Sequence, residues 1–159
     1  MKKLLISLAL ATMLVAVMAT PAMAVTGTTD ITGNVAGVIE VTAPVAISLG
    51  NMALGDNASG VKTGTIKANA AWTMTAKDVK VTDPGYMVAG GNKLTSKMQI
   101  SKDDTTWLDA DAVSPLTYSG TATAQGGDSF NFYAKQNVVW ADPVADSYSI
   151  TITFTATLD

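Results

Sequence analysis

Hydrophobic and polar residues alternate along most of the chain after residue 24. The clearest case is the last segment, in which the apolar and aromatic residues are Tyr148, Ile150, Ile152, Phe154 and Ala156. The residues between them, from 149 to 155, are serine and threonine. Because successive side chains of a β-strand point to opposite faces, this pattern predicts a strand with one buried and one solvated face.

The same alternation recurs in shorter segments upstream. They are Ile39/Val41, Val45/Ile47/Leu49, Trp72/Met74/Ala76, Leu94/Met98/Ile100 and Phe130/Phe132. Turn-forming residues separate them, at Gly55-Asp56-Asn57, Asp83-Pro84-Gly85, Gly90-Gly91-Asn92, Asp103-Asp104 and Gly126-Gly127-Asp128. No helical period is sustained for more than two turns. The chain is therefore predicted to be all-β, a two-sheet immunoglobulin-like sandwich.

Residues 1–24 have the pattern of a signal peptide. Lys2 and Lys3 precede an apolar run over residues 4–18, and the segment ends in the small-x-small sequence that closes at Ala24. The run has 15 residues, fewer than the ~20 that a membrane-spanning helix needs. We expect cleavage after Ala24, a single domain over residues 25–159, no membrane attachment afterwards, and a secreted, extracellular or cell-surface location.

The composition of the chain limits the classes of molecule that it is expected to bind. After residue 24 the chain has eight lysines against 13 carboxylate side chains, a net charge of −5, which disfavours nucleic acid and anionic membranes. The chain has no cysteine, so neither a disulfide nor a lipid on cysteine is expected. The end of the chain also lacks the apolar tail of an anchor signal. The expected partners are copies of the chain itself, other surface proteins, or a cell-wall glycan.

Most catalytic chemistry is excluded by residue type. Without histidine or cysteine there is no Ser-His triad, thiol nucleophile, or imidazole or thiolate metal site. A glycosidase pair of carboxylates is the remaining enzymatic alternative. Glu40, the one glutamate, lies among apolar residues and is either on a solvated face or a buried acid. We expect no enzyme and no cofactor.

Four aspartates surround one tryptophan in the second half of the chain. Asp103, Asp104, Asp109 and Asp111 flank Trp107, and loop carboxylates are typical ligands of calcium. Their spacing fits no defined calcium loop, so a solvated loop is the alternative and no metal is predicted.

The tryptophans and one asparagine are candidate contact or modification sites. Trp72 alternates with Met74 and is predicted to lie in the core. Trp107 and Trp140 adjoin turns, where each either stacks on a sugar ring or closes one end of the sandwich. Asn57 begins an Asn-Ala-Ser sequon and is a candidate glycosylation site in a host that glycosylates exported proteins.

Two segments resemble the WxL domains of cell-wall proteins. Residues 148–156 are similar to the closing motif of that family, in which tyrosine and alternating threonines precede Trp-x-Leu, and Trp72-Thr73-Met74 resembles the earlier Trp-x-Leu. Met74 takes the place of the first leucine, and Phe154 and Ala156 take the places of the second tryptophan and leucine. This resemblance implies a wall- or carbohydrate-binding module.

A longer stretch, from about Asp30 to the end, resembles secreted pilus subunits of the spore coat protein U type. The similar parts are residues 31–41, Ile47-Ser48-Leu49-Gly50, and Asp146-Ser147-Tyr148 leading into the final strand. The early cysteine pair of that family is absent. This resemblance implies a fimbria-like or filament subunit.

The resemblance to pilus subunits further implies assembly by β-strand addition, in which a strand of one subunit completes the sheet of the next. Residues 25–35 are the candidate donor, since Thr29, Ile31 and Val35 fall on one face of an extended strand. The alternative is that this segment is the first strand of its own sandwich. The first expectation for function is thus a non-catalytic structural surface protein, and a wall- or glycan-binding module is the second.

Overall fold

Antiparallel strands make up the regular secondary structure of the computed structural model, which describes residues 30–159. Residues 35–159 form one compact unit, and the architecture below is that of this unit. The all-β sandwich predicted from the sequence is confirmed. The predicted signal peptide and Thr29 lie outside the described residues.

Eleven strands are present in the described part of the chain. They are β1 (Ile39–Thr42), β2 (Gly55–Ala58), β3 (Lys62–Ala68), β4 (Trp72–Asp78), β5 (Val88–Ala89), β6 (Asn92–Lys93), β7 (Gln99–Ser101), β8 (Leu108–Asp109), β9 (Leu116–Gly120), β10 (Asp128–Val138) and β11 (Ile152–Leu158). No helix long and apolar enough to cross a bilayer occurs among these residues.

The larger sheet is organised around β10. Its strand order is β1-β3-β10-β7-β8, and β2 also pairs with β10. β2 and β3 follow one edge of β10, with Ala58 opposite Lys135 and Lys62 opposite Phe132. The register shifts by one residue between them, where the Ser59 hydroxyl accepts a hydrogen bond from the N–H of Ala134. A shift of one residue is typical of a β-bulge, which interrupts the regular ladder.

The smaller sheet has the order β11-β4-β9, and β5 and β6 form a separate hairpin. The two sheets meet through aromatic side chains. Phe154 of β11 packs against Phe130 and Phe132 of β10, with ring centroids 5.6 and 5.3 Å apart. Met74, Ile66 and other apolar side chains fill the remaining interior. Burial of each large side chain of this kind contributes about 1.5–3 kcal/mol.

Two local predictions from the sequence are wrong. Val45, Ile47 and Leu49 alternate as in a strand, yet residues 43–54 form none, and no backbone–backbone hydrogen bond within the described chain involves them. Gly55-Asp56-Asn57 was expected to be a turn but forms most of β2. Here tertiary pairing overrides turn propensity, since Asp56 accepts a hydrogen bond from Asn137 Nδ2 at 2.7 Å across the pair.

The predicted turns at Asp83-Pro84-Gly85, Gly90-Gly91-Asn92 and Asp103-Asp104 are confirmed as left-handed bends. Gly85, Gly90, Gly91 and Asp104 have positive φ angles. Gly90 and Gly91 connect β5 to β6 as a two-residue hairpin loop, the arrangement in which positive φ matches the twist of the strands.

We expect the substitution Gly64→Ala to lower the free energy of unfolding by about 1–3 kcal/mol, because an added methyl group would overpack the interior. A Cβ at Gly64 would lie 2.7 Å from the carbonyl oxygen of Thr42 and would collide with the ring of Phe130. Urea denaturation measures the change. Gly60→Ala is the matched control, since a Cβ at Gly60 meets nothing within 4 Å. Equal stabilities of the two variants would contradict this prediction.

Candidate functional site

A large apolar groove lies beside the start of β11, where Ile152 and Phe154 line it. Its volume is about 900 Å³, at the upper end of the ~300–1,000 Å³ typical of binding pockets. Its walls come from the connection between β1 and β2, from β10 and β11, and from the loop between these two strands. The apolar side chains that line it include Ile47, Leu49, Met98, Phe132, Ile152 and Phe154.

The strand beside this groove has one unpaired edge. β11 pairs with β4 over its whole length, from Ile152 opposite Asp78 to Leu158 opposite Trp72. No strand of the described chain pairs with its other edge. An unpaired edge presents a row of backbone N–H and C=O groups, which is a template for a further strand. β1 and the chain before it lie close to β11, with Gly37 beside Leu158. The groove adjoins the other end of the strand, where Ile152 and Phe154 line it and the backbone edge has no partner strand in the described chain.

The rim of the groove is also apolar and exposed. Val45, Leu54, Trp140 and Val144 all line it, and their exposed fractions are 73%, 49%, 90% and 102% of the reference values. Exposed apolar side chains that gather around one groove are typical of interaction sites.

Sequence reasoning did not identify this groove. Its walls are side chains from segments far apart in the chain, and the alternation that marks a core strand is the same whether its apolar face is covered or open. One signal was present, since Val45, Ile47 and Leu49 have a strand pattern that forms no strand.

The two candidate sugar-binding tryptophans differ in the solvent exposure of their rings. Lys135 Nζ lies 4.5 Å from the ring centroid of Trp107, a cation–π contact that occupies one face of a half-buried ring. Trp140 is 90% exposed and lies at the rim of the groove. Of the two rings, that of Trp140 is therefore the more accessible to a ligand. Trp72, predicted to be in the core, is 5% exposed, which confirms that prediction.

Asp142 fixes the turn that carries Trp140. Its carboxylate accepts hydrogen bonds from the N–H groups of Thr95, at 2.6 Å, and of Val139, at 2.8 Å. Although partial desolvation opposes the charged form, these two hydrogen bonds hold the pKa of Asp142 below its ordinary value. The tryptophan is thus exposed on a backbone turn that is well anchored.

The side chain of Asn57 forms hydrogen bonds within the fold. Its Nδ2, the atom that would carry a glycan, donates to the carbonyl oxygens of Ala53 at 2.7 Å and Gly55 at 2.9 Å, and its Oδ1 accepts from the N–H of Ala53. A glycan on Nδ2 would replace a hydrogen used in these bonds. The folded chain therefore uses Asn57 to hold the start of β2.

Two of the four aspartates near Trp107 have separate partners within the protein. Asp103 Oδ1 accepts hydrogen bonds from the N–H groups of Thr106 and Thr105, at 2.8 and 2.9 Å. Asp111 forms an ion pair with Lys97. Within residues 30–159 no three or more of His, Cys, Asp and Glu converge as metal ligands. The loop geometry is explained by hydrogen bonds to the protein itself.

Two further acids, Glu40 and Asp78, have defined places in the fold. Glu40 is exposed on β1 and lies 3.6 Å from Lys67 Nζ, so the buried alternative for it is wrong. Asp78, which sequence reasoning did not single out, is fully buried. Its two carboxylate oxygens accept hydrogen bonds from the N–H groups of Lys80 and Gly85, so it holds the loop that follows β4.

Two of the three candidate donor residues lie within the described part of the chain. Ile31 is 93% exposed and Val35 is 90% exposed, and neither is part of a strand. No family model matches the chain, and no curated protein matches it either. Function must therefore be inferred from the groove, the free edge of β11 and these exposed apolar residues.

We expect the chain to lose stability in acid, partly through Asp103. Hydrogen bonds from Thr106 and Thr105 lower the pKa of Asp103 in the folded state. The pKa of an aspartate in the unfolded chain is about 3.9. A lower pKa in the folded state stabilises the fold at pH values above this, and the contribution disappears as the pH falls through the pKa of the folded state. Asp103→Asn should therefore be less stable than the unmodified chain at pH 7, and the difference should shrink toward pH 2.

Thermal unfolding followed by circular dichroism between pH 2 and pH 7 measures this difference. Asn retains a neutral acceptor at the same position, so the substitution isolates the contribution of the charge. Asp104→Asn is the matched control, because its backbone position at φ 61° also suits asparagine. A stability gap for Asp103→Asn that is independent of pH would show that the charge is not responsible.

Proposed function

We propose that this protein is a non-catalytic structural subunit of the cell surface that assembles with copies of itself by β-strand addition. The observation that carries the proposal is the unpaired edge of β11 beside an apolar groove. Affinity in strand addition comes from main-chain hydrogen bonds, and specificity comes from pockets for alternate side chains. Both features are present at the start of β11, where Ile152 and Phe154 line the groove.

The occupant that best fits the groove is an extended segment with apolar residues at alternate positions. Residues 25–35 of a second copy have this pattern, with Ile31 and Val35 on one face and Thr32 and Asn34 on the other. In the described part of this segment Ile31 and Val35 are almost fully exposed, so their apolar surface is available to a partner. Their burial would contribute about 1.5–3 kcal/mol each.

Strand addition between copies is a head-to-tail contact. The donor and the acceptor are different surfaces of one chain, so repeated pairing does not close on itself and generates a filament. The inferred signal peptide, the lack of cysteine and histidine, and the net negative charge agree with an exported structural protein. The absence of a catalytic set in the sequence supports the non-enzymatic part of the proposal.

A variant with Ile31→Asp and Val35→Asp should lose filament formation, because two carboxylates cannot enter an apolar groove without a large desolvation penalty. The measurement is negative-stain electron microscopy and sedimentation of protein purified from the producing cells. Thr32→Asp with Asn34→Asp adds the same charge on the opposite face and should still assemble. Removal of residues 25–35 should abolish assembly as well.

Normal filaments formed after removal of residues 25–35 would disprove this segment as the donor. Discrete particles of about 14 kDa from the unmodified protein at every concentration tested would argue against a filament subunit altogether. Both variants are monitored by circular dichroism, so that loss of assembly is not confused with loss of the fold.

The second candidate function is a glycan- or wall-binding module. One specific observation favours it, namely that Trp140 presents an open ring at the rim of the groove on a turn anchored by Asp142. Aromatic rings exposed in this way are suited to stacking on the apolar face of a sugar.

If the module binds glycan, wall oligosaccharides should quench tryptophan fluorescence in the unmodified protein and should fail to do so after Trp140→Phe. Trp107→Phe is the matched control and should leave quenching intact, since Lys135 already covers a face of that ring. An unchanged response in Trp140→Phe, or no response of the unmodified protein to any wall fraction, would eliminate this second candidate.

A further inference from the structure

Most strands at the edges of the two sheets have a feature that opposes pairing with a further strand. The strand order of the larger sheet ends in β1 and β8, and that of the smaller sheet ends in β9 and β11. β1 contains the exposed Glu40, and β8 has only two residues, one of which is the exposed Asp109. β2, which pairs with β10 outside this order, contains the exposed Asp56. Charged side chains and very short strands are two ways in which natural sheets prevent pairing at their edges.

The register of β4 shows which backbone groups of β9 face outward. The N–H of Asp159, just after β11, donates to the carbonyl oxygen of Ala71, so Ala71 faces β11. Alternate residues of an antiparallel strand face alternate neighbours, so Met74 faces β9 and its partner Tyr118 faces back toward β4. Thr117, the preceding residue of β9, therefore directs its N–H and C=O to the outer edge.

A lysine from the loop after β7 occupies this outer edge. Lys102 Nζ donates a hydrogen bond to the carbonyl oxygen of Thr117, at 3.2 Å. The same loop lies beside the start of β9, because Lys102, Thr106 and Leu108 line a small cavity together with Pro115 and Thr117. Pro115 comes directly before β9 and has no N–H to offer to a further strand. Lysine and proline are both typical of protected sheet edges.

β11 has none of these protections. Its seven residues, Ile-Thr-Phe-Thr-Ala-Thr-Leu, include neither a charged residue nor a proline. It is also longer than β1, β8 and β9, so it presents more backbone groups to a partner. Within the described part of the chain, the smaller sheet is thus closed at β9 and open at β11.

We propose that Lys102 determines where assembly occurs, because it closes the outer edge of β9 and confines strand addition in the smaller sheet to β11. This inference rests on the proposed function and adds its specificity. A sheet that is open at both edges would accept two strands and would join copies side by side. With β9 closed, each subunit accepts one donor strand, so a filament grows without branching.

The first experiment removes this lysine from a chain whose candidate donor is disabled. The starting variant is the protein with Ile31→Asp and Val35→Asp, purified from the producing cells and expected to be monomeric. Addition of Lys102→Ala should make it associate at concentrations at least ~10-fold lower than the starting variant requires, as measured by sedimentation velocity. Lys102 is exposed, so its removal leaves the core intact, and circular dichroism checks the fold.

Two control substitutions isolate the position and the charge. Lys67→Ala removes the same charge from an exposed lysine on β3, which has β1 and β10 on its two sides, and should leave the starting variant monomeric. Lys102→Arg retains a charged donor and should also leave it monomeric. If Lys102→Ala associated no more than Lys67→Ala, the proposal would be overturned.

The second experiment locates the contact by NMR-detected hydrogen exchange. When the Lys102→Ala variant associates, the amide of Thr117 should exchange at least ~10-fold more slowly than in the same protein diluted to a monomer, because a strand added to β9 protects it. Association that leaves the exchange of Thr117 unchanged would come from another surface and would overturn the role of Lys102.

The two experiments separate the role of Lys102 from the proposed function. If the unmodified protein forms filaments but Lys102→Ala leaves β9 unpaired, strand addition at β11 stands and the role of Lys102 is overturned. If the unmodified protein is monomeric at every concentration while Lys102→Ala associates through Thr117, closure of β9 by Lys102 stands and the proposed function is overturned. Should the starting variant itself associate, the amide of Thr117 still reports whether β9 is paired before and after the loss of Lys102.

Discussion

The contact of Phe154 with Phe130 and Phe132 joins the two sheets, and the rest of the structure depends on it. Ring centroids 5.3 to 5.6 Å apart are in the range of favourable aromatic pairs, which contribute about 0.5–1.5 kcal/mol each beyond the burial of their area. The chain has no cysteine, so no disulfide can replace this contact. Phe154 and Phe132 also line the groove, so the interior of the sandwich and the candidate binding surface are continuous.

Sequence alone predicted which side chains of several strands face the interior. In β4, Trp72, Met74 and Ala76 alternate with threonines and are buried, and β10 has the same pattern at Phe130 and Phe132. Periodicity reports which side chains face the interior. It does not report whether a neighbouring strand exists, which is why the alternation of Val45, Ile47 and Leu49 was taken for a strand.

The candidate site was harder to predict, for a related physical reason. A groove is defined by what is absent between two elements, and composition does not encode such a gap. The contacts between individual side chains could not be predicted from the sequence either. The sequence placed Trp107 and Trp140 in equivalent positions beside turns, but Lys135 covers the first ring and the second is open. Likewise, the sequon at Asn57 gives no sign that its amide holds the start of β2.

Gly37 and Leu158 lie next to each other, although they are at opposite ends of the folded unit in sequence. The first and last strands of the sandwich therefore begin and end at the same side of it, because residue 37 packs against residue 158. Domains whose ends meet tolerate circular permutation and insertion into a host loop, since neither change stretches the backbone. Residues 37–158 therefore form a unit that can be inserted into a loop of a host protein through a single attachment point.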